Sequence, residues 1–300
     1  MTFGVEGGDS LDQFLQHVLN SLMLGGTYAL LGIGLTLIFG IMRVVNFSHG
    51  ELYTFGAYMV FMFAMVLSTN FFLALIFAVV LGVLLGAAIE LVLLRKLRGA
   101  SIDTTMLVMI GAWIVLQNSE QLVWSGVAKS VTHPFPAEPL VLGPVSVAWI
   151  RVFVFCVAVS LIVGAHLLIH RTRLGKAMRA TFQDRETAAL MGVNIGAIHT
   201  ATFALGSGLA AAAGALLGPV FVLVPSMGDM AALKSFAIVI LGGLGSFKGA
   251  TLGGFMLALV EEMGAGYISS GYRDAMGFLI ILVVLIFKPT GLFARAERIG

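Results

Sequence analysis

The chain has 300 residues, 59% of them hydrophobic and only 11% charged, with a mean hydropathy of +1.03 and a formal net charge of +2. A soluble domain carries about a quarter charged residues, so this composition excludes one, and it equally excludes a basic nucleic-acid-binding surface. What fits is an all-α, polytopic membrane protein forming a single domain over residues 1–300, in which the distribution of charge says more than its sum.

Residues 1–13 carry Glu6, Asp9 and Asp12 and no Lys or Arg, which is not the pattern of a cleavable signal. Ser10-Leu11-Asp12-Gln13 fits a capping box at the start of a helix. The apolar run from about Phe14 to Ile41 is longer than the roughly 20 residues a span needs, which predicts tilt or a break. The polar stretch Arg43 to Glu51 follows, then apolar runs over Leu52–Leu67 and Phe71–Leu94, separated by Ser68-Thr69-Asn70. Arg95, Lys96 and Arg98 close the third run as an inside marker.

A fourth span is expected over Thr104–Trp124, with Gln117, Asn118 and Glu120 toward its far end. Pro134, Pro136, Pro139 and Pro144 make 125–149 a loop on the outer surface. The fifth span, about 150–169, contains Cys156, the only cysteine, so no internal disulfide forms. Beyond the basic interval 171–198, an Ala- and Gly-rich span covers about 199–223 and stops before Pro225. Leu233–Leu244 has about half the spanning length; Gly245-Ser246-Phe247-Lys248-Gly249 and Ala250–Val260 follow it. The last span, about 275–287, ends at Lys288-Pro289, with Arg295 and Arg298 beyond. These make eight or nine transmembrane or half-spanning helices. Placing residue 1 outside and residue 300 in the cytoplasm puts 13 of the 17 basic residues inside, leaving Lys129, Arg151, Lys234 and Arg273 outside or at the outer boundary.

The basic residues concentrate at Arg171, Arg173, Lys176, Arg179 and Arg185. Among them Leu174, Ala177, Met178, Phe182, Ala188 and Met191 recur at spacings that predict one amphipathic helix over Leu174–Met191, with Gly192 as its C-cap. Such a helix touches lipid headgroups or docks a partner; the plainer alternative is an ordinary positively charged cytoplasmic loop.

Two segments interrupt the apolar pattern where a pathway could run. In Asn46-Phe47-Ser48-His49-Gly50-Glu51, Ser48 and Glu51 fit a second capping box starting a helix near Gly50, whose free amides favour negative groups. The segment is either a cap near the inner surface with His49 facing water, or a broken helix lining the path, since irregular backbone at depth is tolerated only beside protein or a cavity. Gly242, Gly243, Gly245 and Gly249 predict a half-span and turn. The Walker spacing fails there, so the chain is expected to hold no nucleotide, and transport needs energy from a partner or an ion gradient. A path is expected between Asn46, Ser48, His49 and Glu51 on one side and Gly242, Gly243 and Gly245 on the other, since both stretches interrupt helices.

Other patterns read as structural. Gly82-xxx-Gly86 and Gly214-xxx-Gly218 suit close helix packing, and Glu90 is placed to pair with Arg95 one turn on. His166 and His170 have no third ligand nearby, so no metal site is expected. Gly206-Ser207-Gly208 lacks the Gly-x-Ser-Gly spacing of an intramembrane serine protease; no catalytic residue and no cofactor are expected.

Asn46-Phe-Ser-His-Gly-Glu-Leu-Tyr-Thr-Phe-Gly-Ala-Tyr58, Gly175-Lys-Ala-Met-Arg-Ala180 with Asp184-Arg-Glu186 and Ala189-Leu-Met-Gly-Val-Asn194, and Leu241-Gly-Gly-Leu-Gly-Ser246 together resemble the integral-membrane permeases of ABC importers for branched-chain amino acids. The resemblance spans essentially the whole chain, in order, and is nearer to the H-type member of the usual permease pair than to its M-type partner. It implies a type II ABC importer-like fold in a bacterial cytoplasmic (inner) membrane, and no enzymatic activity in this subunit. The implied partners are an M-type second permease, two cytoplasmic ATPase subunits and a periplasmic or extracellular solute-binding protein. It also implies that Leu174, Gly175, Ala177, Met178, Arg179, Ala180, Asp184, Ala188 and Gly192 belong to the element that docks on the ATPase, although Thr187–Gly192 meets the general Glu-Ala-Ala-x-x-x-Gly pattern only loosely. Urea or short-amide permeases share this architecture, and a passive channel for a small neutral solute needs no central charge. A secondary transporter would want acidic residues mid-span, whereas the acids here lie mostly near expected span ends.

Overall fold

A computed structural model describes residues 7–293, with side chains placed from Leu11 onward. The first apolar run is one unbroken helix, α1 (Gly7–Met42), whose 36 residues extend about 54 Å and exceed a bilayer core unless tilted. The backbone is already helical at Gly7, ahead of Ser10, whose side chain lies outside the described residues. α2 (His49–Phe61) continues through a π-helical turn at Met62–Val66, and α3 (Phe71–Val92) passes through a 3-10 turn at Leu94–Leu97 to α4 (Ile102–Trp124). Asn70 and Ser101 cap α3 and α4 by accepting from the amides of Phe72 and Thr104.

The proline-rich connection contains an antiparallel hairpin, β1 (Leu140–Leu142) and β2 (Val145–Val147), turning at Gly143-Pro144. Read by its prolines alone, this segment gave no strand; the short alternation flanking a Gly-Pro turn was the available signal. After α5 (Trp149–Arg171), the basic interval forms two helices, α6 (Arg173–Gln183) and α7 (Arg185–Leu190), where a single one was expected. Asp184 causes the split, because its carboxylate accepts from the amides of Glu186 and Thr187 and so caps a new helix. The expected stop at Gly192 is present, with φ +85°.

α8 (Ile195–Leu217) begins at an Asn194 cap and ends six residues short of the expected limit. The chain beyond it pairs Leu223 with Lys129. α9 (Met227–Gly242) and α10 (Phe247–Tyr267) meet at 119°, so the Gly-rich stretch breaks the helix as its composition requires. α11 (Arg273–Phe287) completes the bundle. Among the described residues six helices are long and apolar enough to cross a membrane, α1, α3, α4, α5, α8 and α11, while α9 and α10 together form a pair that turns back at the glycines.

Nearest neighbours fix the helix directions. Gly26 lies against Ala158 and Gln16 against Ser146, so α5 runs parallel to α1. Gly254 lies against Ala29 and Gly32 against Ala250, so α10 runs antiparallel to it. Gly82 and Gly86 fit against Ala211 and Ser207, so α3 and α8 oppose each other. Small residues permit this approach where lipid supplies no hydrophobic drive between helices. The nine elements α1–α5 and α8–α11 therefore alternate in direction. α1 and α8 form the interior, with 78% of their apolar windows buried, while α4, α5 and α11 lie at the edge with 11–17% buried.

Candidate translocation site

The chain reverses after Met42. Residues 43–46 are non-helical, and by His49 the chain has returned beside Leu31, about three helical turns back along α1. His49 is fully buried, with Nε2 3.0 Å from the Leu31 carbonyl oxygen, so it does not face water as one of the two sequence readings required. The Ser48–Glu51 capping box does not form either. Asn46 Oδ1 accepts from the Ser48 amide (3.1 Å) and hydroxyl (2.8 Å), which occupies the hydroxyl in a local turn. Glu51 turns away from the helix start and accepts from Trp113 Nε1 at 3.1 Å.

The start of α2 thus lies inside the bundle, against the start of α9. Gly50 rests on the backbone of Gly228, Phe47 stacks obliquely on Phe236 at 5.4 Å, and a Cβ at Gly228 would meet Glu51 Oε1 and Thr54 Oγ1 at 2.6 Å. Trp113 also donates to Asp229 Oδ1 (3.2 Å), as does Gln117 Nε2 (2.8 Å). Asn46, Ser48, His49 and Glu51 are therefore together, fully buried, at a break in the helix.

Gly242, Gly243 and Gly245 lie elsewhere. α9 separates them from Gly228 by about 20 Å, and their neighbours are Gly40, Phe182 and Gly291. Gly243 (φ +89°) and Gly245 (φ +77°) make a turn that L-residues resist, and it sits under α6 beside the end of α1. The structure does not join the two interruptions into one site; it places the glycine turn against the basic helix.

α6 packs on α1, α5 and α8. Gly175 fits against the carbonyls of Leu168 and Ile169, Arg179 donates to the Ile169 carbonyl, and Met178 is 1% exposed. Ala188 is also buried, and Ala177 and Ala180 are half-buried. The large apolar residues most exposed on this surface are Leu190 and Met191; Phe182 and Leu174 are less so, and Phe182 also covers Gly245. Asp184 is exposed, and Thr187, through its hydroxyl and amide, holds its carboxylate below the usual range.

Several polar residues inside the bundle carried no usable sequence signal. Lys234 of α9 forms ion pairs with Glu261 of α10 (2.9 Å) and Asp274 of α11 (2.8 Å) and donates to Tyr28 of α1 (2.7 Å). Glu90 pairs with Arg98 at 2.6 Å and accepts from Thr200; Arg95, the expected partner, points elsewhere because the 3-10 turn rotates the chain between them. His166 and His170 stack at 4.1 Å, and no group of three potential metal ligands exists among the described residues. A cavity of about 120 Å³ opens where α5 begins and α8 ends, between Asn20, Arg151, Glu262 and Arg273.

Residues 17–287 match the family described as "Branched-chain amino acid transport system / permease component". The chain is 35% identical to the high-affinity branched-chain amino acid transport system permease protein BraD of Pseudomonas aeruginosa, covering 95% of this chain and 97% of that one. It is 33% identical to LivH of Escherichia coli K12, a permease of the same description, over 95% and 96% of the two chains. A probable LivH of Methanocaldococcus jannaschii is 27% identical over 88% of this chain and 87% of that one. Among solved structures, PsaBC from Streptococcus pneumoniae in complex with Fab shares the fold, with a TM-score of 0.51 at 12% identity over 97% and 98% of the chains. A broken, buried helix start within a bundle of alternating apolar helices, and a family match across nearly the whole length, lead to one conclusion: this chain belongs to the branched-chain amino acid transport permease family.

Proposed function

We propose that this chain is the membrane permease subunit of an ATP-driven importer that moves branched-chain amino acids from an external binding protein into the cytoplasm. The observation that carries the reading is the start of α2, where non-helical backbone and four buried polar residues stand at depth in an otherwise apolar bundle. Irregular backbone there has a cost in lipid that a transport path justifies. The rings of Phe47 and Phe236 beside it suit an aliphatic side chain. ATP is hydrolysed by two partner subunits, a second permease of M-type completes the membrane unit, and an external binding protein delivers the substrate. The α6–α7 corner faces the cytoplasm and carries the docking surface. Residue 7 lies toward the outside and residue 293 toward the cytoplasm.

The test is leucine import by the assembled complex in liposomes. Import should require ATP and the binding protein and should vanish when the ATPase catalytic site is inactivated. Leucine flux independent of ATP would identify a passive channel, and transport of urea without leucine would reassign the substrate.

A further inference from the structure

α2 and α4 meet along a stripe whose polar groups are only partly satisfied by one another: Trp113 Nε1 donates to Glu51, and Glu51 and Glu120 lie close enough to hydrogen-bond when one of them carries a proton. Apart from a proton shared between the two carboxyls, Glu51 Oε2, both carboxyl oxygens of Glu120, Tyr58 Oη and Trp124 Nε1 are buried atoms without a hydrogen-bond partner among the described residues. Glu51 and Tyr58 are 0% exposed and Glu120 is 3% exposed. Glu51 and Tyr58 share one face of α2, seven residues apart; Trp113, Glu120 and Trp124 form the facing stripe of α4. Trp113 closes one end of this stripe through its bond to Glu51, and the other end closes where the rings of Tyr58 and Trp124 stack at 4.8 Å and 16°. Glu120 lies between these two contacts.

A buried carboxylate is costly, and here two carboxyl groups face each other, a shared proton their only link, with Asp229 behind them. No Lys, Arg or His lies within ion-pair distance of Glu51, Glu120 or Asp229 among the described residues. The unused donors of Tyr58 and Trp124 stand at the opposite end of the same stripe. Carboxyl acceptors at one end and in the middle, with neutral aromatic donors at the other end, match a ligand carrying a cationic donor and an anionic acceptor. Ammonium groups are further stabilised by the faces of Trp and Tyr. The helix-start amides are a poor seat for the carboxylate, because Glu51 and Asp229 already bring negative charge to the first turns of α2 and α9.

We propose that this α2/α4 seam is a binding seat for a zwitterionic amino acid in transit: Glu51 and Glu120 receive its α-ammonium, and Tyr58 Oη and Trp124 Nε1 donate to its carboxylate. The inference rests on the reading of the chain as an amino-acid permease. The seat opens by movement of α4, the least buried of the candidate spans.

The experiment uses the complete complex in liposomes, with ATP-driven leucine import as the readout and co-purification of the ATPase as the check on assembly. Glu120→Gln should lower import by about tenfold or more, and Tyr58→Phe and Trp124→Phe by about threefold or more each, as loss of charged and neutral hydrogen bonds implies. Asn118→Ala, on an exposed part of α4, should import normally. Import by Glu120→Gln within about twofold of wild type would mean that the carboxylates hold only protons, and overturns the seat while leaving the transport reading intact. Failure of the wild-type complex to import leucine overturns both. A measurement on the unmutated complex covers variants that fail to assemble. Leucine should change its tryptophan emission more than 3-methylbutylamine or 4-methylpentanoate, each lacking one charged group; an emission unchanged by leucine overturns the seat.

Discussion

Lys234 shows how a charge is retained within this bundle. Its side chain is 13% exposed, and its ammonium serves Glu261, Asp274 and Tyr28, tying α9 to α1, α10 and α11. Glu261 is 1% exposed and also accepts from Tyr28 Oη at 2.8 Å, so the cluster is satisfied on both sides. Removing one partner leaves a buried charge, whereas removing both leaves apolar surface. Lys234→Met should therefore destabilise the chain by about 3–5 kcal/mol. Lys234→Met combined with Glu261→Met should recover most of that loss. Thermal unfolding of detergent-solubilised variants checks the order; a double variant no better than the single one would show that the cluster stabilises by more than charge pairing.

The α6–α7 corner separates two roles that the basic interval combines in sequence. Met178, centred on the apolar stripe, points into its own subunit, while Leu190 and Met191 are 87% and 81% exposed. An anchor for a partner must be accessible before the partner arrives, and burying such an anchor typically contributes more than a charge on the rim. Leu190→Asp should thus reduce ATPase co-purification by about tenfold while the isolated permease keeps its melting temperature. Met178→Asp should instead lower that temperature, because a carboxylate enters the contact of α6 with the bundle. Lys176→Gln, an exposed position, should assemble normally. A Leu190→Asp variant that retains its ATPase would remove Leu190 from the dock proposed on this corner.

Nine elements that alternate in direction put the two described ends of the chain at opposite ends of the bundle. In the proposed orientation, with the hairpin β1–β2 outside, the turn between α3 and α4 is cytoplasmic, next to Arg95, Lys96 and Arg98. In a Cys156→Ala background, Leu142→Cys should react with an impermeant maleimide in intact cells, and Ala100→Cys only after permeabilisation. Both positions are exposed. The reverse pattern would invert the topology and with it the proposed direction of docking.

The succession of helices and their approximate limits was legible in the sequence because a membrane span satisfies its backbone locally: length, hydropathy and the glycines of 242–249 suffice. The same logic placed a helix start near Gly50 and a stop at Gly192. Which face of each helix meets protein was not legible. In lipid both faces are apolar, so the periodicity that orients a soluble helix is weak. On the amphipathic basic interval the stripe was legible, but whether it packs on its own bundle or on a partner was not, so Met178 could not be distinguished from Leu190. Tertiary structure alone paired Glu90 with Arg98, seated Lys234 among three helices and separated the glycine turn from the buried start of α2. It also brought Glu51 of α2 opposite Glu120 of α4, more than sixty residues apart, because only the crossing of those helices decides which polar groups share a low-dielectric space.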